Sequence, residues 1–338
     1  MDKAKRNFRA AFWSICLLII ILDTKTAVYA AREAIDMCIS VLVPSIFPFL
    51  VICPMVSAQI GMFSSAFRPL GRLLRLPEGA EELFVLGILG GYPIGASVVC
   101  QSADSGRITK DDAQRMLAFC SNAGPSFLFG IGAALFPGIG YCAGIWLIHI
   151  LSAVFVGLMT PGAGGQAKQA TIPNASLQAV LRKGLITMAG ICGWVVLFRI
   201  LLAFAQRWIF WCFAPDTQIL LRGLTELANG AVGLGQIELL GKRLLYFSAM
   251  LGFGGLCVYM QTASVCLGLS IRYYLPGKIL QCAVSTLLAT AAQFLLTESH
   301  RYFPHPAILL LCTAICVLYP LILRKSKKSS RNSHLIGV

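Results

Sequence analysis

The chain has 338 residues, 57% of them hydrophobic and 12% charged, with a mean hydropathy of +0.76. A soluble globular domain of this length would not sustain that composition, so the sequence predicts an integral membrane protein. The net charge of +14 is concentrated at the termini and in connecting loops. That distribution is typical of orientation signals, and it indicates that the basic termini meet anionic lipids of the bilayer and no nucleic acid.

The N-terminus admits two interpretations. Residues 1–9 are basic, residues 10–22 are largely apolar, and Val28-Tyr29-Ala30 resembles a signal-peptide cleavage site. The segment is either a cleaved signal peptide or an uncleaved first helix. We favour the uncleaved helix, because both interpretations leave the remaining topology unchanged.

Apolar segments near twenty residues long recur along the chain, and each is long enough to cross a hydrocarbon core of about 30 Å as a helix. Eight spans are predicted, approximately at 8–28, 36–60, 115–136, 140–160, 184–206, 244–271, 279–296 and 306–323. The predicted fold class is therefore an all-α polytopic membrane protein. With an even number of spans, twenty Lys and Arg residues collect on the side of the termini and seven on the other. This imbalance predicts a cell-membrane protein with both termini in the cytoplasm, including the basic tail 324–338.

Two stretches carry helix-breaking residues inside apolar sequence. The first is GGYPIGAS at 90–97 followed by SNAGPSFLFG at 121–130, and the second is LTELANGAVGLGQ at 224–236 followed by LGFGGLCVYMQT at 251–262. Broken helices survive in a bilayer only where they are buried in protein or line a cavity. We therefore predict two re-entrant hairpins, at 83–101 and 218–240. If both hairpins cross fully instead, the chain has ten spans.

The two interrupted stretches divide the chain into two predicted repeats, 36–136 and 184–271, joined by a linker at 161–183. The first hairpin would enter from the cytoplasm and the second from outside, which gives the repeats opposite orientations. Inverted repeats with discontinuous helices are a transporter architecture, with the binding site near the midplane. In the polar loop between the first hairpin and the next span, Thr109 is predicted to cap the helix that follows.

The thirteen cysteines are scattered singly through apolar segments, and no CxxC pair occurs. Four dispersed histidines do not form a zinc-binding pattern. We therefore predict no metal site, no cofactor and no disulfide framework.

The interrupted segments and their neighbours also carry a resemblance to known proteins. VPSIFPFLV at 43–51, GGYPIGA at 90–96, FCSNAGPSFLFG at 119–130 and ELANGAVGL at 226–234 occur in this order with the polar loop between the second and third. On these motifs the chain resembles the YlbJ family of sporulation integral membrane proteins, and more broadly proteins with a nucleoside-recognition, or Gate, domain. The resemblance covers about residues 10–323. It implies a cell-membrane protein needed for spore formation, with nucleoside binding as a family label and no catalytic residues to carry over.

The candidate ligand-binding residues lie in the interrupted segments. They are Gly91, Tyr92, Gly95, Ser97, Asn122, Ser126, Glu226, Asn229 and Gln261. An acid or a base inside a membrane span is a functional hypothesis by default, and such charges usually pair. We therefore predict an ion pair between Arg199 and Glu226, and expect Asn122 and Ser126 to face Glu226 and Asn229.

These features favour a transporter or gated pathway for a small polar solute. The alternative is a membrane scaffold or signalling protein of the spore envelope, and the polarity of the protein's centre would separate the two. An enzyme is not predicted, since no nucleophile–base pair or metal motif occurs. The sequence leaves the solute and the oligomeric state open.

Overall fold

The structure is a computed structural model that describes residues 2–58, 64–162, 176–296 and 302–335. Within these ranges every regular element is helical. The first half comprises α1 (Asp2–Leu22), α2 (Thr24–Met37), one π-helical turn (Cys38–Leu42), α3 (Val43–Ala58), α4 (Ser64–Leu73), α5 (Glu81–Gly90), α6 (Ile94–Asp104), α7 (Lys110–Met116), α8 (Pro125–Leu135) and α9 (Ile139–Met159). The second half comprises α10 (Leu177–Trp208), α11 (Pro215–Thr225), α12 (Leu227–Gly233), α13 (Leu240–Phe253), α14 (Leu256–Val265), α15 (Tyr274–Leu296) and α16 (Pro306–Leu335), with 3-10 turns at Phe210–Cys212 and Leu234–Gln236.

The long helices have the composition of membrane spans. In the described part of the chain, five helical segments are long and apolar enough to cross a bilayer: Thr24–Ser57, Ile139–Met159, Leu177–Trp208, Leu240–Val265 and Tyr274–Leu295. Three shorter apolar helices accompany them, at Ala10–Leu22, Pro125–Leu135 and Pro306–Leu321. The predicted all-α, multi-helix membrane class is confirmed.

The first two predicted spans have the wrong boundaries. The chain turns at Asp23, and a continuous helix with one π-helical turn then runs from Thr24 to Ala58, where we expected a loop near 29–35. Asp23 fixes the new start as the N-cap, because its carboxylate accepts hydrogen bonds from the Thr26 amide at 3.3 Å and the Thr26 hydroxyl at 2.8 Å. The polar residues that suggested a loop stay helical, and one of them, Glu33, bonds to a neighbouring helix.

Two predicted spans are interrupted in the middle. The segment predicted as 115–136 contains the end of α7, an irregular stretch at 117–124, and α8. The segment predicted as 244–271 is split into α13 and α14 by Gly254 and Gly255, whose φ angles of 84° and 92° end the helix. Each of these spans is therefore a pair of half-helices.

The same order of elements occurs twice. A long helix, a helical hairpin, a broken helix and an intact helix follow one another at 24–58, 81–104, 110–135 and 139–159. They recur at 177–208, 215–233, 240–265 and 274–296. The repeated unit thus extends beyond the ranges predicted from sequence. The opposite orientation of the two units in a membrane stays a prediction.

The linker and the tail contain more helix than predicted. Residues 163–175 of the linker lie outside the described residues, but 177–183 form the first turns of α10. The basic tail continues α16 as far as Leu335. At the centre of the protein, α15 packs against α9, α13 and α16, so side chains of α15 reach both halves of the chain.

Candidate functional site

Each hairpin tip packs against the helix break of its own repeat. At Gly91, with a φ of 84°, an added Cβ would lie 2.9 Å from the Gly124 amide nitrogen. At Gly255, an added Cβ would lie 3.2 Å from the Gly223 carbonyl oxygen and 3.3 Å from the Leu227 nitrogen. Glycine is needed at these places for both backbone conformation and close approach. The two repeats therefore use the same kind of contact to place broken helix ends beside each hairpin.

A cavity of about 60 Å³ lies where the two hairpin tips, the first helix break and α14 come together. Five of the nine predicted site residues line it: Gly91, Tyr92, Ser126, Glu226 and Gln261. The remaining wall is mostly apolar and comes from α3, α5, α10, α12, α14 and the start of α8, with Phe49, Ile191, Val195 and Val258 among its residues. The structure thus brings the two interrupted segments to one place, as the sequence predicts.

The other four predicted residues lie outside this cavity. Gly95 packs against the Cys120 carbonyl, and an added Cβ would lie 2.0 Å from that oxygen, so its role is close helix packing. Ser97 faces two neighbouring cavities of about 200 and 610 Å³, beside Lys183. Asn122 and Asn229 are buried, but neither belongs to the lining of the central cavity. The Asn122 side chain bonds to the Phe119 carbonyl and to Gln281, so its expected arrangement facing Glu226 is wrong, whereas Ser126 and Glu226 line the same cavity.

The larger neighbouring cavity adjoins the central one. Ile191 and Gln261 line both the 60 Å³ cavity and the 610 Å³ cavity, so their side chains form the partition between them. Gln261 is buried, and its amide makes a long contact of 3.4 Å with the Cys257 thiol. Arg182 and Lys183 lie on the same wall of the larger cavity, towards the start of α10.

The predicted ion pair between Arg199 and Glu226 is wrong. Arg199 bonds to the Glu33 carboxylate at 2.6 Å, because α10 packs along α2 and brings these residues together. Glu226 instead caps α12: its two carboxylate oxygens accept hydrogen bonds from the Ala228 and Asn229 amides at 3.1 and 2.7 Å. The positive end of the helix dipole stabilises a negative charge in this position. Glu226 is thus a structural cap whose carboxylate also borders the cavity.

Lys278 is the residue of the site that sequence reasoning missed. The predicted spans 244–271 and 279–296 place it in the cytoplasmic loop between them, but it lies inside α15 and is fully buried. Its ammonium group donates hydrogen bonds to the Ser121 carbonyl in the first helix break, to the Gln281 amide oxygen at 2.6 Å and to the Tyr92 hydroxyl at 3.3 Å. It also lies 5.0 Å from the centroid of the Tyr92 ring. Without Lys278, the Lys and Arg residues predicted on the cytoplasmic side still outnumber those predicted on the external side.

A polar cluster extends from Lys278 across the centre of the protein. The Gln281 amide donates to the Asn122 side-chain oxygen at 3.0 Å, and the His149 ring nitrogen Nε2 accepts from the Ala123 amide at 3.0 Å. Further along the same helices the Ser152 and Ser285 hydroxyls bond at 2.9 Å. Within this cluster, Lys278, His149 and Asn122 satisfy backbone atoms that the first helix break leaves without helical partners.

The sequence contains a pattern from which this polar cluster could have been predicted. Lys278, Gln281 and Ser285 have the spacing i, i+3, i+7, which places polar side chains on one face of an otherwise apolar helix. The neighbouring Arg272, Pro276 and Gly277 obscured the signal, because together they are typical of a loop.

The tip of the first hairpin is also fastened to the second repeat. The Tyr92 hydroxyl donates to the Leu251 carbonyl at 2.9 Å, and its ring lies against Gly254. Tyr92 therefore touches the central cavity, the second helix break and Lys278. In the described residues, no group of three or more His, Cys, Asp or Glu side chains is placed to hold a metal ion.

These features define a helical integral membrane protein whose polar centre is built from broken helices. The chain is similar to the sporulation integral membrane protein YlbJ of Bacillus subtilis (strain 168), with 22% identity over 324 residues, covering 81% of this chain and 78% of that protein. This similarity confirms the resemblance to the YlbJ family. No family model matches the chain, and no solved structure matches it.

Proposed function

We propose that the protein carries a small polar solute across a membrane during sporulation, by alternating exposure of the central cavity. The observation that supports this most directly is that both repeats contribute polar groups to one buried centre next to a cavity. The placement of broken helices around such a site is a property of secondary transporters. Sporulation enters the proposal through the name of the similar Bacillus subtilis protein.

The size of the cavity bears on the solute. One water molecule needs roughly 10–15 Å³ of cavity volume, so a cavity of about 60 Å³ holds only a few water-sized groups. A nucleoside would require the hairpins to separate first. We propose that the 610 Å³ cavity is the approach route, with Ile191 and Gln261 opening to admit the solute.

The scaffold alternative predicts a sealed, apolar centre. The fully buried Lys278, Gln281 and Asn122 make the centre polar, which favours the carrier. The proposal assigns no chemical reaction to the protein. It places the protein in the cell membrane with both termini in the cytoplasm, where the basic residues bind anionic lipid headgroups.

The test is an untargeted comparison of small molecules in spores formed with and without the protein, followed by flux measurements in proteoliposomes. We expect a solute whose distribution changes and whose flux is reduced by Gln261→Leu. Thr290→Val is the matched control, because its hydroxyl bonds only to the Thr286 carbonyl of its own helix among the described contacts. Unchanged solutes together with an altered spore envelope would contradict transport and support the scaffold.

A further inference from the structure

We propose that Lys278 is a tethered cation in the coupling-ion position of the carrier, and that its reversible protonation, without sodium, drives hairpin 1 between conformations. Hairpin 1 denotes α5, α6 and the tip between them, residues 81–104. The inference rests on the proposed transport function and names its coupling ion.

The oxygen atoms around Lys278 are those that a free cation would use. Unwound backbone carbonyls in discontinuous membrane helices coordinate Na⁺ or protons in carriers. Here the first helix break presents the Ser121 carbonyl, joined by the Gln281 amide oxygen and the Tyr92 hydroxyl. Carbonyl and amide oxygens are ligands that hard cations prefer. The Lys278 ammonium group occupies the position to which these oxygens converge, so the protein supplies its own cation there.

Among the residues that the structure describes, no carboxylate is paired with Lys278. Glu226 is engaged with the start of α12. The titratable groups that face Lys278 are two phenols, a thiol and an imidazole, from hairpin 1, the first helix break, α9 and α15: Tyr92, Cys120, His149 and Tyr274. A buried ammonium without a counter-charge is costly. A lysine, unlike a sodium ion or an arginine, can relieve that cost by releasing a proton.

The number of hydrogen bonds that Lys278 can donate links its protonation state to the position of hairpin 1. A protonated lysine has three N–H donors, which match the three oxygen acceptors. The central cavity is lined by Tyr92 and not by Lys278 itself, so a proton released from the ammonium group would reach water there past Tyr92. The neutral amine then keeps two donors, so one oxygen loses its partner. The contact with Tyr92 is at 3.3 Å, longer than the 2.6 Å contact with Gln281, and we expect it to break. The tip of hairpin 1 is then held less firmly, and the amine regains a proton from water on the side to which the cavity next opens.

A chemical-rescue experiment tests the tethered cation. The purified full-length protein in lipid nanodiscs is unfolded thermally in sodium chloride, choline chloride or methylammonium chloride at one pH. We expect the wild type to be indifferent to sodium, and Lys278→Ala to lose stability and regain part of it with sodium or methylammonium. Lys278→Met, which fills the space with an apolar chain, should show no rescue. Lys242→Ala, which removes a lysine paired with Asp216, is the matched control and should not respond. Specific stabilisation of the wild type by sodium, or no rescue of Lys278→Ala, would overturn the proposal.

A second measurement does not depend on Lys278→Ala folding well. Hydrogen exchange of residues 81–104, corrected for the intrinsic effect of pH, should speed up in the wild type as pH rises. Lys278→Arg keeps its charge and should stay protected over the same range, whereas Lys242→Arg should respond like the wild type. An identical response in Lys278→Arg would disprove the inference.

Different results would contradict the proposed transport function and the proposed role of Lys278. Solute flux that is independent of pH and of Lys278 would remove the coupling role and leave transport intact. A pH response of hairpin 1 that requires Lys278, in a protein without flux of any solute, would remove transport and leave the protonation site.

Discussion

At the scale of single residues, Arg199 has two acidic candidates and bonds to one of them. Its guanidinium group contacts Glu33 at 2.6 Å, while Glu226 is held by two backbone amides. In a double-mutant cycle we expect Arg199→Gln and Glu33→Gln to be coupled by about 0.5–3 kcal/mol of unfolding free energy. Titration with a denaturing detergent measures it. The cycle of Arg199→Gln with Glu226→Gln is the control and should give a smaller coupling; the reverse order would restore the pair predicted from sequence.

One methyl group added at Gly95 should destabilise the protein. Its Cβ would lie 2.0 Å from the Cys120 carbonyl oxygen, and that oxygen is backbone and cannot rotate away. Overpacking of this kind costs roughly 1–3 kcal/mol, and a backbone clash lies at the upper end. We expect Gly95→Ala to lower the thermal midpoint and the yield of monodisperse protein in size-exclusion chromatography. Gly190→Ala in α10 has open space around the new methyl group and should be neutral. Equal behaviour of the two variants would argue against the packing of α6 on the first helix break.

At the scale of helices, α6 of hairpin 1 meets the C-terminal end of α14 in the other repeat, where two thiols lie side by side. The sulfur atoms of Cys100 and Cys266 lie 2.8 Å apart, and both side chains are buried. Copper phenanthroline with oxygen, which accepts the two electrons and two protons released, should join them in a disulfide within one chain. Peptide mass spectrometry would detect the bond, which is absent from Cys266→Ser.

The same disulfide should hold hairpin 1 in place. We expect it to slow hydrogen exchange of residues 81–104 and to suppress any solute flux, with recovery after reduction by dithiothreitol. A complete cross-link that leaves both unchanged would mean that α6 and α14 move as one unit.

At the scale of the whole molecule, the charge imbalance predicts which loops face the cytoplasm. Cys212 is exposed in the 3-10 turn between α10 and α11, on the side predicted to be external, and so provides a native reference. A membrane-impermeant maleimide should label Cys212 in intact cells. Ser105→Cys or Gln169→Cys in a Cys212→Ser background should be labelled only after permeabilisation. Labelling of Ser105→Cys from outside would contradict the re-entrant arrangement of hairpin 1.

The sequence by itself determined the class of protein and the positions where its helices break. Apolar run length, Gly and Pro placement and helix caps act over a few residues, so they can be read locally; Thr109, for example, caps α7 through the Asp112 amide at 3.1 Å, as predicted. Tertiary structure alone decided that Arg199 meets Glu33, that Lys278 is buried beside Ser121 and Tyr92, and which predicted residues share one cavity. These contacts join residues more than 150 positions apart. Such contacts depend on how helices cross, which in lipid is set by side-chain packing and interhelical hydrogen bonds across the bundle. A polar residue at the edge of a predicted loop can therefore lie either in that loop or in the buried centre of the bundle. The sequence around it does not decide between the two.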